Sequence, residues 1–134
     1  MAAELRRRTD ALRVVLVLLP CQYASGGEVR FGRTLPGVDR VCTFKALMAE
    51  RPWRRPPEGE DRVLRSVLHL GGDLALSLVL GKAMEAPVDA FAARPRWPRK
   101  VRTFFVPDER SLERFLQKGV PKEKLRLVGH PAFD

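Results

Sequence analysis

The run His69-Leu70-Gly71-Gly72-Asp73 brings together a carboxylate and backbone able to do chemistry. It closes one apolar stretch and opens another. Paired glycines let main chain come close to a ligand, and the free amides at a helix start suit an anionic group. In that setting Asp73 either orients a sugar hydroxyl or removes its proton as a general base. The structural alternative uses the same residues: Gly71 and Gly72 make a tight turn, and Asp73 caps the helix. Gly-x-Gly-x-x-Gly is absent, so this is not a dinucleotide fingerprint.

Two other places offer polar groups. Gln22, Tyr23 and Ser25 follow an apolar run and either line the same cleft or form a connecting loop. His130 stands between Gly129 and Pro131, at what reads as a strand end. Its side chain titrates near neutrality, although a lone histidine also serves as a surface or packing residue. Cys21 has no histidine near it in sequence and nothing visible to lower its pKa, so a nucleophilic role is not expected. Cys21 and Cys42 lack Cys-x-x-Cys spacing and the chain has two histidines, so no metal cluster is expected. A reduced, cytoplasmic setting fits this usage.

Charge points to partners. Lys plus Arg number 25 against 16 Asp plus Glu, a net charge of +9. Arg94, Arg96, Arg99, Lys100 and Arg102 gather around Trp97, and Arg51, Arg54 and Arg55 around Trp53. Such patches attract polyanions, anionic head groups or phosphorylated substrates; the alternative is a solvated basic surface. No helix-turn-helix, zinc or RNP-like pattern is present, and specific nucleic-acid binding is not expected.

These groups need elements to hold them. Apolar runs of strand-forming types predict strands over 13–19, 38–42, 66–70, 88–92, 102–106 and 125–128. The first is nearly continuous, as in a strand covered on both faces. Helices are predicted over 44–50, 74–84 and 109–118. The last is the best marked: Asp108 is a good N-cap, Leu112, Phe115 and Leu116 form one stripe, and Gly119 and Pro121 stop it. Strands alternating with helices predict an α/β, doubly wound, mainly parallel sheet. Ligands of such sheets sit beyond the carboxyl ends of the strands, where Gly71, Gly72, Asp73 and His130 fall. Residues 51–62 read as an exposed Pro/Arg-rich loop inside a single domain spanning 1–134. The run 14–19 is far too short to span a bilayer, and Arg6-Arg7-Arg8 followed by Thr9-Asp10 does not open a signal peptide.

Six segments in order carry a family likeness: Leu-Pro-Cys-Gln-Tyr-Ala-Ser-Gly (19–26), Leu-Pro-Gly-Val-Asp-Arg-Val (35–41), His-Leu-Gly-Gly-Asp (69–73), Arg-Pro-Arg-Trp-Pro-Arg (94–99), Phe-Val-Pro-Asp-Glu (105–109) and Val-Gly-His-Pro-Ala-Phe-Asp (128–134). Over nearly the whole chain they resemble the lipid-A-disaccharide synthase-related proteins, glycosyltransferases of the two-domain B-type fold. The resemblance implies a Rossmann-like domain on the acceptor side of an interdomain cleft. It makes Asp73 and His130 the candidate catalytic residues. Gly71, Gly72, Gln22, Tyr23, Ser25, Arg94 and Arg96 become candidate substrate contacts. The expected partners are a sugar or glycolipid acceptor and an anionic surface at the inner membrane. No metal or resident cofactor is expected, and the nucleotide-sugar donor would belong to the second domain.

Two departures shape the expectation. The family opens with a strand and a Gly-rich loop ahead of Arg13, so the sheet is expected to lack its first, normally central, strand. The donor domain would follow Asp134, so the chain alone is expected to transfer no sugar. The alternatives are a small basic protein that binds nucleic acid or anionic lipid, and a truncated reading frame without independent function.

Overall fold

A computed structural model describes residues 3, 7, 12–21, 25–54 and 65–129 of the chain. It divides into two compact units, Met1–Arg55 and Pro56–Asp134. The division falls in the loop that the sequence places inside one domain.

In the first unit, β1 (Val15–Leu18) pairs in parallel with β2 (Arg40–Thr43), in a register running from Val15↔Arg40 to Leu18↔Thr43. The start of the pair is clipped by Asp39, whose Oδ2 accepts from Val14 N at 2.7 Å. Helix α1 (Glu28–Gly32) connects the strands and α2 (Phe44–Glu50) follows β2. Thr43 caps α2, its hydroxyl accepting from Ala46 N at 3.2 Å. A Cβ on Gly32 would stand 3.0 Å from methyls of both Leu16 and Val41, so glycine lets α1 sit close on the strands. Strand β1 corrects the expectation of a strand covered on both faces: Val15 is 39% exposed and the other three residues are half-buried. Its only strand partner among the described residues is β2, and its helices are one or two turns long.

The second unit holds a four-stranded, wholly parallel sheet in the order β3 (Val67–His69), β4 (Val88–Phe91), β5 (Thr103–Val106), β6 (Leu125–Leu127). Helix α3 (Leu74–Met84) joins β3 to β4, and α4 (Glu109–Gln117) joins β5 to β6. Between β4 and β5 there is no helix, only the basic loop 92–102. Crossovers in such sheets are right-handed, so strands laid down in one direction send their helices to one face. Register places Val67, His69, Val88, Ala90, Phe104, Val106 and Leu125 on that face. Leu74, Phe115, Val101 and Val120 complete the core against it, and the Phe104 and Phe115 rings meet edge-on at 4.9 Å.

Small residues let α3 approach. Leu74, Ser77, Leu78 and Gly81 recur at i, i+3, i+4 and i+7, and Gly81 lies so close to the sheet that a Cβ would come within 2.3 Å of Val88 Cγ2. Helix α4 begins as expected, with Asp108 Oδ1 accepting from Ser111 N at 2.6 Å, and ends before Gly119 at φ +73°. On the opposite sheet face, near the strand starts, Asp89 is buried. Its Oδ1 accepts from Arg102 Nε at 2.9 Å, and its Oδ2 from Ser66 Oγ at 3.4 Å and from Arg102 Nη2. Burial alone would raise the Asp89 pKa; the Arg102 hydrogen bonds and charge, with Thr103 and Ser66, outweigh it and hold the carboxyl below its ordinary value. No helix among the described residues is long and apolar enough to cross a membrane.

Candidate functional site

The carboxyl edge of the second unit's sheet collects the segments that the sequence singles out. After β3 the chain turns through Leu70, Gly71 and Gly72, all exposed, before Asp73. Gly72 holds φ +83°, which a side chain would strain, whereas a Cβ on Gly71 would meet nothing within 4 Å. Asp73 is exposed and caps α3, Oδ1 accepting from Ala75 N at 3.0 Å. Capping engages that oxygen and leaves Oδ2 for another donor.

Two strands further on, a shallow hollow opens beyond β5 and β6, lined by Pro107, Asp108, Glu109, Arg110, Leu127 and Gly129. Gly129 takes φ +79°. The hydrogen bond from Ser111 N holds the Asp108 carboxyl below its ordinary pKa. β4 and β5 lie between β3 and β6. At about 4.8 Å per strand spacing, the turn carrying Asp73 stands roughly 14 Å from the one carrying Gly129. The two segments therefore share an edge and not a hydrogen-bond distance.

Gln22, Tyr23 and His130 lie outside the described residues. Ser25 is exposed in the first unit, where its hydroxyl donates to Glu28 Oε1 at 2.9 Å and its amide to the same oxygen at 2.5 Å. Hydrogen bonds from Ser25 first, then from Glu28 and Gly26 amides, lower the Glu28 pKa. That arrangement organises the entry to α1 and engages the serine locally. Arg96 lies over the Trp97 ring, its guanidinium carbon 4.8 Å from the centroid, while Arg94 lines a groove against α4. The basic loop thus splits its arginines between different neighbours. Cys42 is buried, which pushes its thiol pKa up, and Cys21 is exposed. Among the described residues, no group of three or more His, Cys, Asp or Glu is placed to hold a metal ion.

One residue that sequence reasoning passed over stands beside the glycine turn. His69 ends β3, is 6% exposed, and shares a 2.9 Å hydrogen bond between Nδ1 and Ser77 Oγ of α3. Burial lowers its pKa, with the Asp73 charge pulling the other way. It is a buried tie between β3 and α3, at the end of the strand that leads into the Asp73 turn. His69 stands in a strand and Ser77 in the helix that follows it, so no single period relates them and only the folded turn reveals the pair.

Comparison with known proteins adds no family: no protein-family model and no curated protein matches the chain. The fold is α/β, a mainly parallel sheet flanked by helices, of the kind found in half of a Rossmann-like domain.

Proposed function

We propose that the chain supplies the acceptor side of the interdomain cleft of a nucleotide-sugar-dependent glycosyltransferase resembling the lipid-A-disaccharide synthase-related proteins. The supporting observation is the carboxyl edge of β3–β6, where Gly71-Gly72-Asp73, Pro107-Asp108-Glu109 and Gly129 leave adjacent or nearby parallel strands on the ligand-binding side. On this reading an acceptor sugar or glycolipid lies along the edge. Asp73 uses its uncommitted oxygen to accept a proton from the attacking hydroxyl, work worth about 10²–10⁴-fold in rate. Its cap to Ala75 holds the carboxylate in place. Gly71 leaves room for the sugar ring beside the backbone. Gly129 marks the opposite end of the same edge, and the roughly 14 Å between the two turns calls for an acceptor that spans them. The donor diphosphate sits on a second domain, no resident cofactor takes part, and the setting is cytoplasmic, at the inner face of a membrane.

An isotope-labelled 134-residue chain titrated with a hexosamine and a short-chain glycolipid tests this. The amide signals of Gly71, Gly72 and Asp73 should shift, and no nucleotide sugar should be turned over. Asp73→Asn keeps the cap and should weaken the shifts without unfolding the chain. Shifts confined to the basic loop, or none, would refute the reading; turnover lost in Asp73→Asn would make the chain a complete enzyme.

A further inference from the structure

The side of the sheet that carries the helices holds a second feature. Between the loop 92–102 and α4 runs a groove of about 390 Å³ lined by Arg94, Pro95, Pro98, Arg114 and Lys118. That size lies within the ~300–1,000 Å³ of small-molecule sites. Three of its residues are cationic and none is acidic. Arg114 and Lys118 are four apart and so share one side of the helix.

The loop is fixed in place. Arg114 Nη1 donates to Ala93 O at 3.0 Å, and Lys124 Nζ donates to Pro98 O and Val101 O at 3.0 and 2.9 Å. Lys100 N closes a turn onto Trp97 O at 2.9 Å. Elsewhere in this region Arg102 pairs with Asp89 and Arg96 covers Trp97. Arg94, Arg114 and Lys118 form no ion pair among the described residues, though the Arg114 charge is felt at the Asp108 carboxyl. The helix C-terminus accounts for a cation in the last turn of α4. It does not account for Arg94, brought to the same groove by a loop that could have carried it elsewhere.

We propose that this groove binds a phosphoryl group of a phosphorylated ligand. Arg94 and Arg114 offer planar forks that match phosphate oxygens, Arg114 with its Nη1 bonded to Ala93 O, and Lys118 adds a point charge. Pro95 and Pro98 wall the groove with residues that have no N–H to donate, so selection falls on the three charges. The groove shares no lining residue with the hollow beyond β5 and β6 and stands whether or not that edge takes a sugar.

Calorimetric titration of the full chain with inorganic phosphate and pyrophosphate tests the proposal. Arg94→Ala/Lys118→Ala should weaken pyrophosphate binding roughly tenfold or more, since charge-assisted bonds are lost. Arg99→Ala/Lys100→Ala removes the same charge from nearby positions outside the groove and should leave the affinity within about twofold of wild type. All four side chains are exposed, so folding should be kept. Vesicles of phosphatidylcholine with and without phosphatidate form the second arm. Groove-dependent capture that pyrophosphate reverses would put the phosphoryl group on a lipid head group; pyrophosphate binding without such capture would put it on a soluble compound. Equal weakening in both double variants, or no binding of either probe, would overturn the proposal.

Discussion

Strand β1 reads Val-Leu-Val-Leu and strand β4 reads Val-Asp-Ala-Phe, yet β4 is the buried one. Val88, Asp89 and Ala90 are all under a tenth exposed, while Val15 is 39% exposed. Position among neighbours explains the inversion. β4 lies between β3 and β5 with α3 across it, and β1 pairs only with β2 among the described residues. A carboxylate survives inside β4 because Arg102 and Ser66 satisfy it. In the first unit the comparable pair, Arg40 with Glu50, is half-exposed at the surface and contributes little. Burial is thus a property of the sheet that a strand joins, more than of its own composition.

The largest test of this contrast is in the two cores. Phe104 and Phe115 are fully buried and touch edge-on. Replacing Phe104 with Ala should cost the second unit about 3–5 kcal/mol. Val15→Ala in the first unit should cost less than about 1 kcal/mol. Each unit carries one tryptophan, Trp53 and Trp97. Urea unfolding of Trp53→Phe and Trp97→Phe backgrounds therefore reads the units separately. A comparable loss from both substitutions would break the contrast.

Glycines sharpen it further. Alanine is the better helix former by about 1 kcal/mol, so Gly→Ala stabilises a helix where space allows. At Gly81 the new Cβ would meet Val88 Cγ2 at 2.3 Å and Ala86 O at 3.0 Å. One neighbour is a stiff β-branched side chain and the other is backbone, and neither yields cheaply. Gly81→Ala should destabilise the second unit by about 1–3 kcal/mol. At Gly32 the nearest atoms are methyls of Leu16 and Val41 at 3.0 Å, on half-buried side chains. Gly32→Ala should change the first unit by no more than about 1 kcal/mol in either direction. Stabilisation by Gly81→Ala would show that α3 is free to move off the sheet.

Much of this architecture was legible locally. Helix α3 spans the expected 74–84, α4 ends one residue short of the expected 118, and five of the six strands fall within their expected ranges. Apolar runs bounded by glycine and proline, and a capping Asp108, are signals that a chain carries without its neighbours. β2 is displaced to Arg40–Thr43 because Asp39 turns back to bond Val14 before pairing begins. Helix α1 escaped because its five residues, Glu28–Gly32, are too few to show a period. The site was legible only as an edge. Gly72 and Gly129 both fall just past strand ends, but strand order, which no local pattern encodes, sets β4 and β5 between them. Arg114 and Lys118 read alone as a solvated helix face; the loop carrying Arg94, with Trp97 at φ +46°, makes them a groove.

The smallest effect concerns pH, and it too separates the units. Both histidines, His69 and His130, belong to the second unit, so the first has no side chain whose ordinary pKa lies between 5 and 7. In the folded chain burial lowers the His69 pKa, the Asp73 carboxylate opposing it. In the unfolded chain the imidazole takes up its proton near the ordinary value of about 6.5. As pH falls through that value the unfolded state binds the proton first, so stability that is complete above about pH 6.5 is lost on the way down to the folded pKa. The urea midpoint reported by Trp97 should therefore drop as pH is lowered from neutral toward 5, while that reported by Trp53 stays level. His69→Gln keeps a hydrogen-bonding group facing Ser77 and removes the titration, and it should flatten the Trp97 profile. An unchanged slope in His69→Gln would move the proton uptake away from His69. A slope in the Trp53 profile of the same size would remove the distinction between the two units in this pH range.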